Sequence, residues 1–404
     1  MKPVITAPIA ATAYGTVRGV VENNLAVFRG VPYAAAPVGG LRYHLPVAPA
    51  SWSGERDATQ FGVIAPQLAA QAGGLFDLGL RAGEDCLTLN IWTPTPDPAG
   101  LPVIVWIHGG GFLFGAGANP IVSTGSFARD GVVFVSINYR LGTDGFLFVK
   151  DDPASGNYGL LDQIAALRWV QENIAAFGGD PARVTVGGQS AGATAVAALL
   201  AAPAARGLFS RAIVQSGYPD PLLSERSAQL VAHEIYLRAG LSYGDLDGLR
   251  GLRERTPQRV LQIQMELFAE VLSTRDSDRF EADIAVSGNP FQPVVGGGVL
   301  PTRPVHALAA EPSPVELLIG CNTEEFGLMY GTGMLSPDVD GLADAYERAL
   351  PGRGAEVLRL YRLARPSASP LELLTALESD RLYRAPTTLL ADIHAGNGAA
   401  TYFY

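Results

Sequence analysis

Short β-branched runs alternate with longer stretches of helical periodicity through the first half of the chain, the pattern of strands joined by crossovers in a mostly parallel sheet. Residues 103–107, 132–137, 184–186 and 212–214 are short runs rich in β-branched residues and are closely followed by Gly, Ser or Asn. Such runs predict strands buried on both faces. Between the second and third, Leu161, Ile164, Leu167, Val170, Ile174 and Phe177 recur at three- and four-residue spacing, which predicts a crossover helix over about 160–177. From 222 to 272 the composition shifts to Arg, Glu, Gln and Leu with helical spacing, predicting a helical insert, bounded at 222–290, that walls a pocket. A strand pattern resumes at 315–320, a further helical stretch covers 342–363, His306 reads as a loop residue after Pro304, and another helix precedes a last strand at 400–404. Without repeats or low-complexity linkers, residues 1–404 read as a single α/β domain, and a strand that stops without a polar tail predicts that the natural protein continues.

Composition narrows the function classes. The 404 residues are 48% apolar and 17% charged, which excludes a disordered tail or a coiled coil and requires a large core. With 29 basic against 39 acidic residues, a net charge of −10 offers no basic face for phosphates, so nucleic acid is not an expected partner. No stretch approaches the ~18–20 apolar residues that span a bilayer, so no membrane association is expected. Pro3 and Pro8 interrupt the opening residues, which lack the apolar core of a signal peptide. Cys86 and Cys321 form neither a disulfide framework nor a zinc knuckle, and a reducing, cytoplasmic location is the expectation.

Two motifs carry chemistry. Gly188-Gln189-Ser190-Ala191-Gly192 lies between the run at 184–186 and a helical run at 193–202, the setting of a nucleophile elbow. A sharp strand-to-helix turn there raises the serine Oγ above the sheet, with a helix N-terminus behind it that favours developing negative charge. His108-Gly109-Gly110-Gly111-Phe112 directly follows the first run. Bare backbone N–H groups of such a loop, Gly110 and Gly111 together with Ala191, would form a three-donor oxyanion hole.

These motifs resemble the type B carboxylesterases, the α/β-hydrolase family of bacterial esterases, liver carboxylesterases and cholinesterases. Further blocks carry the resemblance: Phe28-Arg29-Gly30-Val31-Pro32-Tyr33-Ala34, Glu84-Asp85-Cys86-Leu87-Thr88-Leu89-Asn90-Ile91-Trp92, Asn138-Tyr139-Arg140-Leu141-Gly142, Gly156-Asn157-Tyr158-Gly159-Leu160, Phe177-Gly178-Gly179-Asp180-Pro181 and Gln215-Ser216-Gly217. The resemblance implies an α/β-hydrolase fold with a central, mostly parallel sheet flanked by helices. It implies hydrolysis of small-molecule carboxylic esters through an acyl-enzyme, without metal or organic cofactor, by a Ser-Glu-His triad. Ser190 takes the nucleophile's place. Gly320-Cys321-Asn322-Thr323-Glu324-Glu325 matches the acid segment in the register that selects Glu325, with Glu324 as the alternative. Arg42 with Glu84 and Arg140 with Asp162 occupy positions that pair in the family, and Ser216 resembles a serine that supports the acid. Phe326 stands where a glycine is usual, and Ala65-Pro66-Gln67 lacks the cysteine that pairs with the Cys86 position in secreted members. Phe112, Leu113 and Phe114 are expected to shape acyl and alcohol preference. A carbamate or amide hydrolase using the same machinery, or a non-catalytic cholinesterase-like binding protein, is the alternative.

The histidine is the missing element. The chain has His44, His108, His233, His306 and His394. In the family the base follows the strand matched by residues 400–404 by roughly two dozen residues, so the register places it beyond Tyr404 and predicts weak or no activity for residues 1–404 alone. His394 is the substitute to test.

Overall fold

The computed structural model describes residues 7–68, 78–94, 100–220, 222–333 and 335–404; Pro3 and the first six residues of the opening segment lie outside them. Among the described residues the central sheet has nine strands. In chain order these are β1 (Val20–Glu22), β2 (Leu25–Pro32), β3 (Thr88–Thr93), β4 (Leu101–Ile107), β5 (Val133–Ile137), β6 (Gly179–Gln189), β7 (Arg211–Gln215), β8 (Glu316–Gly320) and β9 (Thr401–Phe403). Their spatial order is β9-β8-β7-β6-β4-β5-β3-β2-β1. The six strands from β9 to β5 are parallel, and β3, β2 and β1 continue the sheet antiparallel. Every residue of β3 and β5 is buried, as helices on both faces require.

All four runs are strands, with β6 extending well before its predicted core, but of them only β5 is buried on both faces; in the other three runs buried residues alternate with half-buried ones, Ile104, Trp106, Thr185 and Ile213. The predicted crossover is helix α1 (Tyr158–Asn173), tightened into a 3-10 turn at Ile174–Phe177 and stopped by Gly178 at φ 84°. Helix α2 (Ala191–Ala201) follows β6 without a linker. Because β5 lies on one side of β4 and β6 on the other, the strand order reverses between β4 and β6. Crevices at the carboxyl ends of strands form at such reversals.

The segment after β7 is helical, as predicted. It contains α3 (Glu225–Ala239), α4 (Leu246–Glu254), α5 (Pro257–Thr274) and α6 (Ser277–Ser287), the last broken by a kink at Phe280 and Glu281. Ser224, Asp245, Thr256 and Asp276 cap them by accepting backbone N–H groups, the role for which short polar side chains are preferred. A short parallel ribbon pairs Leu223 with Val294 and ties the two ends of the segment together. The region predicted as one helical stretch at 342–363 is two helices, α7 (Leu342–Ala349) and α8 (Gly354–Ala364). Pro351 and Gly352 separate them, since proline lacks the N–H to continue a helix. Helices α9 (Pro370–Ser379) and α10 (Ala385–Gly396) lead to β9. His306 lies in a short helix, Pro304–Ala310, rather than a loop; Pro304 at its first position is the signal that reading passed over.

Of the two charged pairs, Arg140–Asp162 forms as expected, buried and two-pronged at 2.8 and 2.7 Å. Arg42 does not pair with Glu84. Its Nε donates to Asp144 at 2.9 Å and its Nη1 to the Arg255 carbonyl at 2.8 Å, because the short helix Gly142–Phe146 carries Asp144 to it. Cys86 is a buried free thiol and Cys321 a half-buried one; burial pushes the Cys86 thiol well above its ordinary range. No helix among the described residues is long and apolar enough to cross a membrane.

Candidate active site

Ser190 occupies the turn between β6 and α2 at φ 57°, ψ −124°, a conformation that side chains other than glycine rarely adopt. The glycines around it permit the close approach. A Cβ on Gly192 would stand 2.1 Å from the Ile107 carbonyl oxygen, and one on Gly188 would stand 2.5 Å from the Gly192 backbone. Strand β6, helix α2 and the end of β4 therefore meet at van der Waals contact, and the serine is left partly exposed at the carboxyl edge of the sheet. Its N–H donates to the Gln215 carbonyl at 3.0 Å, and its carbonyl accepts from Thr194 N–H at 2.9 Å.

The glycine loop lies against this turn: a Cβ on Gly109 would fall 3.1 Å from Ser190 Cβ. Four successive carbonyls of the loop are pinned. The Gly109 carbonyl is 2.8 Å from His108 Nδ1. The Gly110 carbonyl accepts from the Leu113 and Phe114 N–H groups at 3.0 and 2.9 Å, and the Phe112 carbonyl accepts from Gly142 N–H at 2.7 Å. The Gly111 carbonyl accepts from Asn289 Nδ2 at 2.8 Å. In a trans peptide C=O and N–H point opposite ways, so pinning each oxygen aims the N–H on the other side of the same peptide plane. The N–H groups of Gly110 and Gly111 have no hydrogen-bond acceptor among the described residues. Ala191, at the first helical position, has an N–H beyond the reach of the helix's own ladder. Phe112, Leu113 and Phe114, expected to shape the pocket, are instead core side chains; Phe112 packs edge-on against Phe146 at 4.9 Å.

Two strands away, about 10 Å by ordinary strand spacing, the segment after β8 carries the two acidic candidates. Ser216 N–H donates to the Gly320 carbonyl at 2.8 Å, continuing the tie from Ser190 through β7 to this loop. Glu325 is half-buried, and its carboxylate accepts from the Asn322 N–H at 2.6 Å and from Asn322 Nδ2 at 3.4 Å. Asn322 Nδ2 also reaches Ser216 Oγ at 3.4 Å, so Ser216 meets the acid loop through Asn322 and not through the carboxylate itself. Glu324 is exposed. Phe326, in place of glycine, is buried, its N–H held by Ser379 Oγ at 3.1 Å and its ring 6.5 Å from Tyr383 on the turn before α10.

The five histidines are placed elsewhere. His44, His233 and His306 are exposed. His108 is buried under the glycine loop, stacked on Tyr139 at 4.4 Å, and burial pushes its pKa down to about 4, so the ring is neutral at pH 7. His394 is buried where α10 turns into β9, with Nδ1 2.7 Å from Thr401 Oγ1. Thr401 pairs with Leu317, about 10 Å back along β8 from its carboxyl end and, across three strand spacings, about 14 Å from β6. Helix α10 starts near the acid loop and carries His394 away from it.

Comparison with known proteins places this arrangement. The sequence profile of the Carboxylesterase family matches residues 6–404. The chain is 38% identical over 403 residues to a phenmedipham hydrolase of Pseudarthrobacter oxydans, covering 97% of this chain and 76% of that one. It is 39% identical over 340 residues to a para-nitrobenzyl esterase of Bacillus subtilis, covering 83% of this chain and 65% of that one. A crystal structure of a Geobacillus stearothermophilus carboxylesterase superposes with a TM-score of 0.85 at 36% identity, over 98% of this chain and 79% of that one.

Proposed function

Because the chain belongs to the carboxylesterase family and is a serine ester hydrolase of the α/β-hydrolase fold, we propose that Ser190 is its nucleophile. The observation that carries this reading is the strained turn at Ser190 packed against a glycine loop whose carbonyls are pinned. The serine Oγ attacks the ester carbonyl. As that carbon becomes tetrahedral, the N–H groups of Gly110, Gly111 and Ala191 receive the oxyanion, which needs no reorganisation because the peptide planes are already oriented. The alcohol departs with the proton taken from Ser190, and water then releases the acid by the reverse sequence of proton transfers. Glu325 accepts a hydrogen bond from the imidazole that carries this proton, fixing its tautomer.

That imidazole is none of the five histidines at these positions. A small-molecule ester is the substrate class, and the two free thiols together with the acidic balance support a reducing, cytoplasmic setting without nucleic acid. Retention of the serine in a strained turn disfavours a purely binding role. The test is a fluorophosphonate probe: it labels the natural chain, and Ser190→Ala eliminates the label and lowers p-nitrophenyl ester turnover by about 10⁴-fold or more. Undiminished labelling of that variant would refute the assignment.

A further inference from the structure

Of the four pinned carbonyls in the glycine loop, three are held by the loop itself or by neighbouring backbone, and one is held by a side chain from a distant part of the chain. Asn289 follows α6, at the end of the helical segment, 178 residues from Gly111 in sequence. Its amide orientation is unambiguous. Oδ1 accepts the Phe291 N–H at 3.0 Å, which leaves Nδ2 to donate to the Gly111 carbonyl at 2.8 Å, and an amide nitrogen can only donate. The residue is itself held: its carbonyl accepts from Gln292 Nε2 at 2.9 Å, and the side chain is 7% exposed. Gly111, at φ 63°, has no Cβ and only Asn289 Nδ2 within 4 Å of where one would be. Sterics therefore do little to stop its carbonyl from swinging round.

We infer that Asn289 is a positioning residue for ester hydrolysis: it clamps the Gly111 carbonyl, whose peptide plane carries the Phe112 N–H, and so fixes the backbone dihedrals of Gly111 on the far side of the Gly111 N–H, keeping that donor aimed at the developing oxyanion. The inference rests on the catalytic reading above and adds a residue to it. The mechanism is preorganisation: two adjacent glycines sample many backbone conformations, and each peptide plane left free to rotate must be reordered in the transition state. The clamp also makes the helical segment that ends at Asn289 part of the catalytic apparatus, since any displacement of that segment is transmitted to the oxyanion loop through one hydrogen bond.

The test uses the full-length protein with Asn289→Leu, which keeps the size and removes the donor, and Asn289→Asp, which places an acceptor against the carbonyl. Both are expected to lower kcat for a p-nitrophenyl ester by about 10- to 100-fold with KM changed less than about threefold, because the loss is confined to the transition state. Affinity for a trifluoromethyl ketone, which forms a tetrahedral adduct on the serine, falls by the same factor as kcat/KM. In Asn289→Asp the ratio of its kcat to that of the natural protein rises as pH falls toward about 5, where a protonated carboxyl can donate to the carbonyl. Unchanged kcat in both variants, or ketone affinity that stays constant while kcat falls, would overturn the clamp. Should Asn289→Leu fail to fold, a flat kcat ratio across pH in Asn289→Asp overturns it alone. Ser190→Ala in the same assay separates the two ideas: ketone affinity that survives it overturns the nucleophile, whereas its loss there with no effect at Asn289 overturns only the clamp.

Discussion

The elbow around Ser190 and the acid loop around Glu325 leave the same edge of the same sheet, yet they are built by different means. At the elbow, backbone packs on backbone. Gly188, Gly192 and the Ile107 carbonyl approach so closely that no side chain fits, and the serine between them stands at φ 57°. At the acid loop, side chains supply the bonds: Glu325 accepts from the Asn322 N–H and Nδ2, Asn322 Nδ2 reaches Ser216 Oγ, and Ser379 Oγ holds the Phe326 N–H. The first kind of construction tolerates almost no substitution but needs no partner. The second accepts a changed residue, as Phe326 demonstrates, provided the surroundings supply a hydrogen bond and a place for the ring. A nucleophile must sit within a fraction of an ångström of its hole, while an acid that acts through an imidazole can be oriented by adjustable bonds.

Substitutions at each region should therefore fail differently. Glu325→Gln keeps the size and both regions' folding but donates where it should accept; turnover is expected to fall by about 10³- to 10⁴-fold with an unchanged melting temperature, and a loss below tenfold would remove Glu325 from the triad in favour of Glu324. Gly192→Ala pushes a methyl into the Ile107 carbonyl and is expected to lower turnover about 100-fold while also costing about 1–3 kcal/mol in urea unfolding. An alanine variant as stable as the natural chain would show that the elbow is less rigid than its contacts imply.

A third effect, on stability rather than turnover, is read in acid. His108, under the glycine loop, has its pKa lowered from 6.5 to about 4 by burial. Between these values the unfolded chain binds a proton that the folded chain does not. Stability is therefore full above pH ~6.5 and declines as pH falls toward ~4, by about 3 kcal/mol from this group. Burial lowers the His394 pKa as well, which adds in the same direction. Urea midpoints measured across that range should show the decline, and His108→Gln should flatten it while Glu325→Gln leaves it intact. An equal slope in His108→Gln would mean that other groups dominate.

The elbow and the oxyanion loop were legible in sequence because each is a local requirement written in consecutive residues: a strand, glycines where Cβ atoms would collide, a serine, a helix. The strands of the parallel half were legible as β-branched runs, although only β5 is buried throughout and β4, β6 and β7 alternate buried with less buried positions. The helix break at Pro351 and the start of a helix at Pro304 were also written locally and could have been read.

Other features had no local signature. Arg42 meets Asp144, 102 residues along the chain, and not Glu84; Asn289 meets Gly111 across 178 residues. Nothing around Phe112, Leu113 and Phe114 distinguishes a pocket wall from a core, because both are apolar, and only the packing against Phe146 assigns Phe112 to the core. The sequence by itself determined the chemistry on offer, a serine on a strained turn beside bare backbone donors, because backbone geometry near a turn depends on the few residues that make it. Tertiary structure decided which side chains hold that machinery in place. A hydrogen bond between distant segments depends on how whole helices and strands come to rest against one another, and a short stretch of sequence carries no record of its partner.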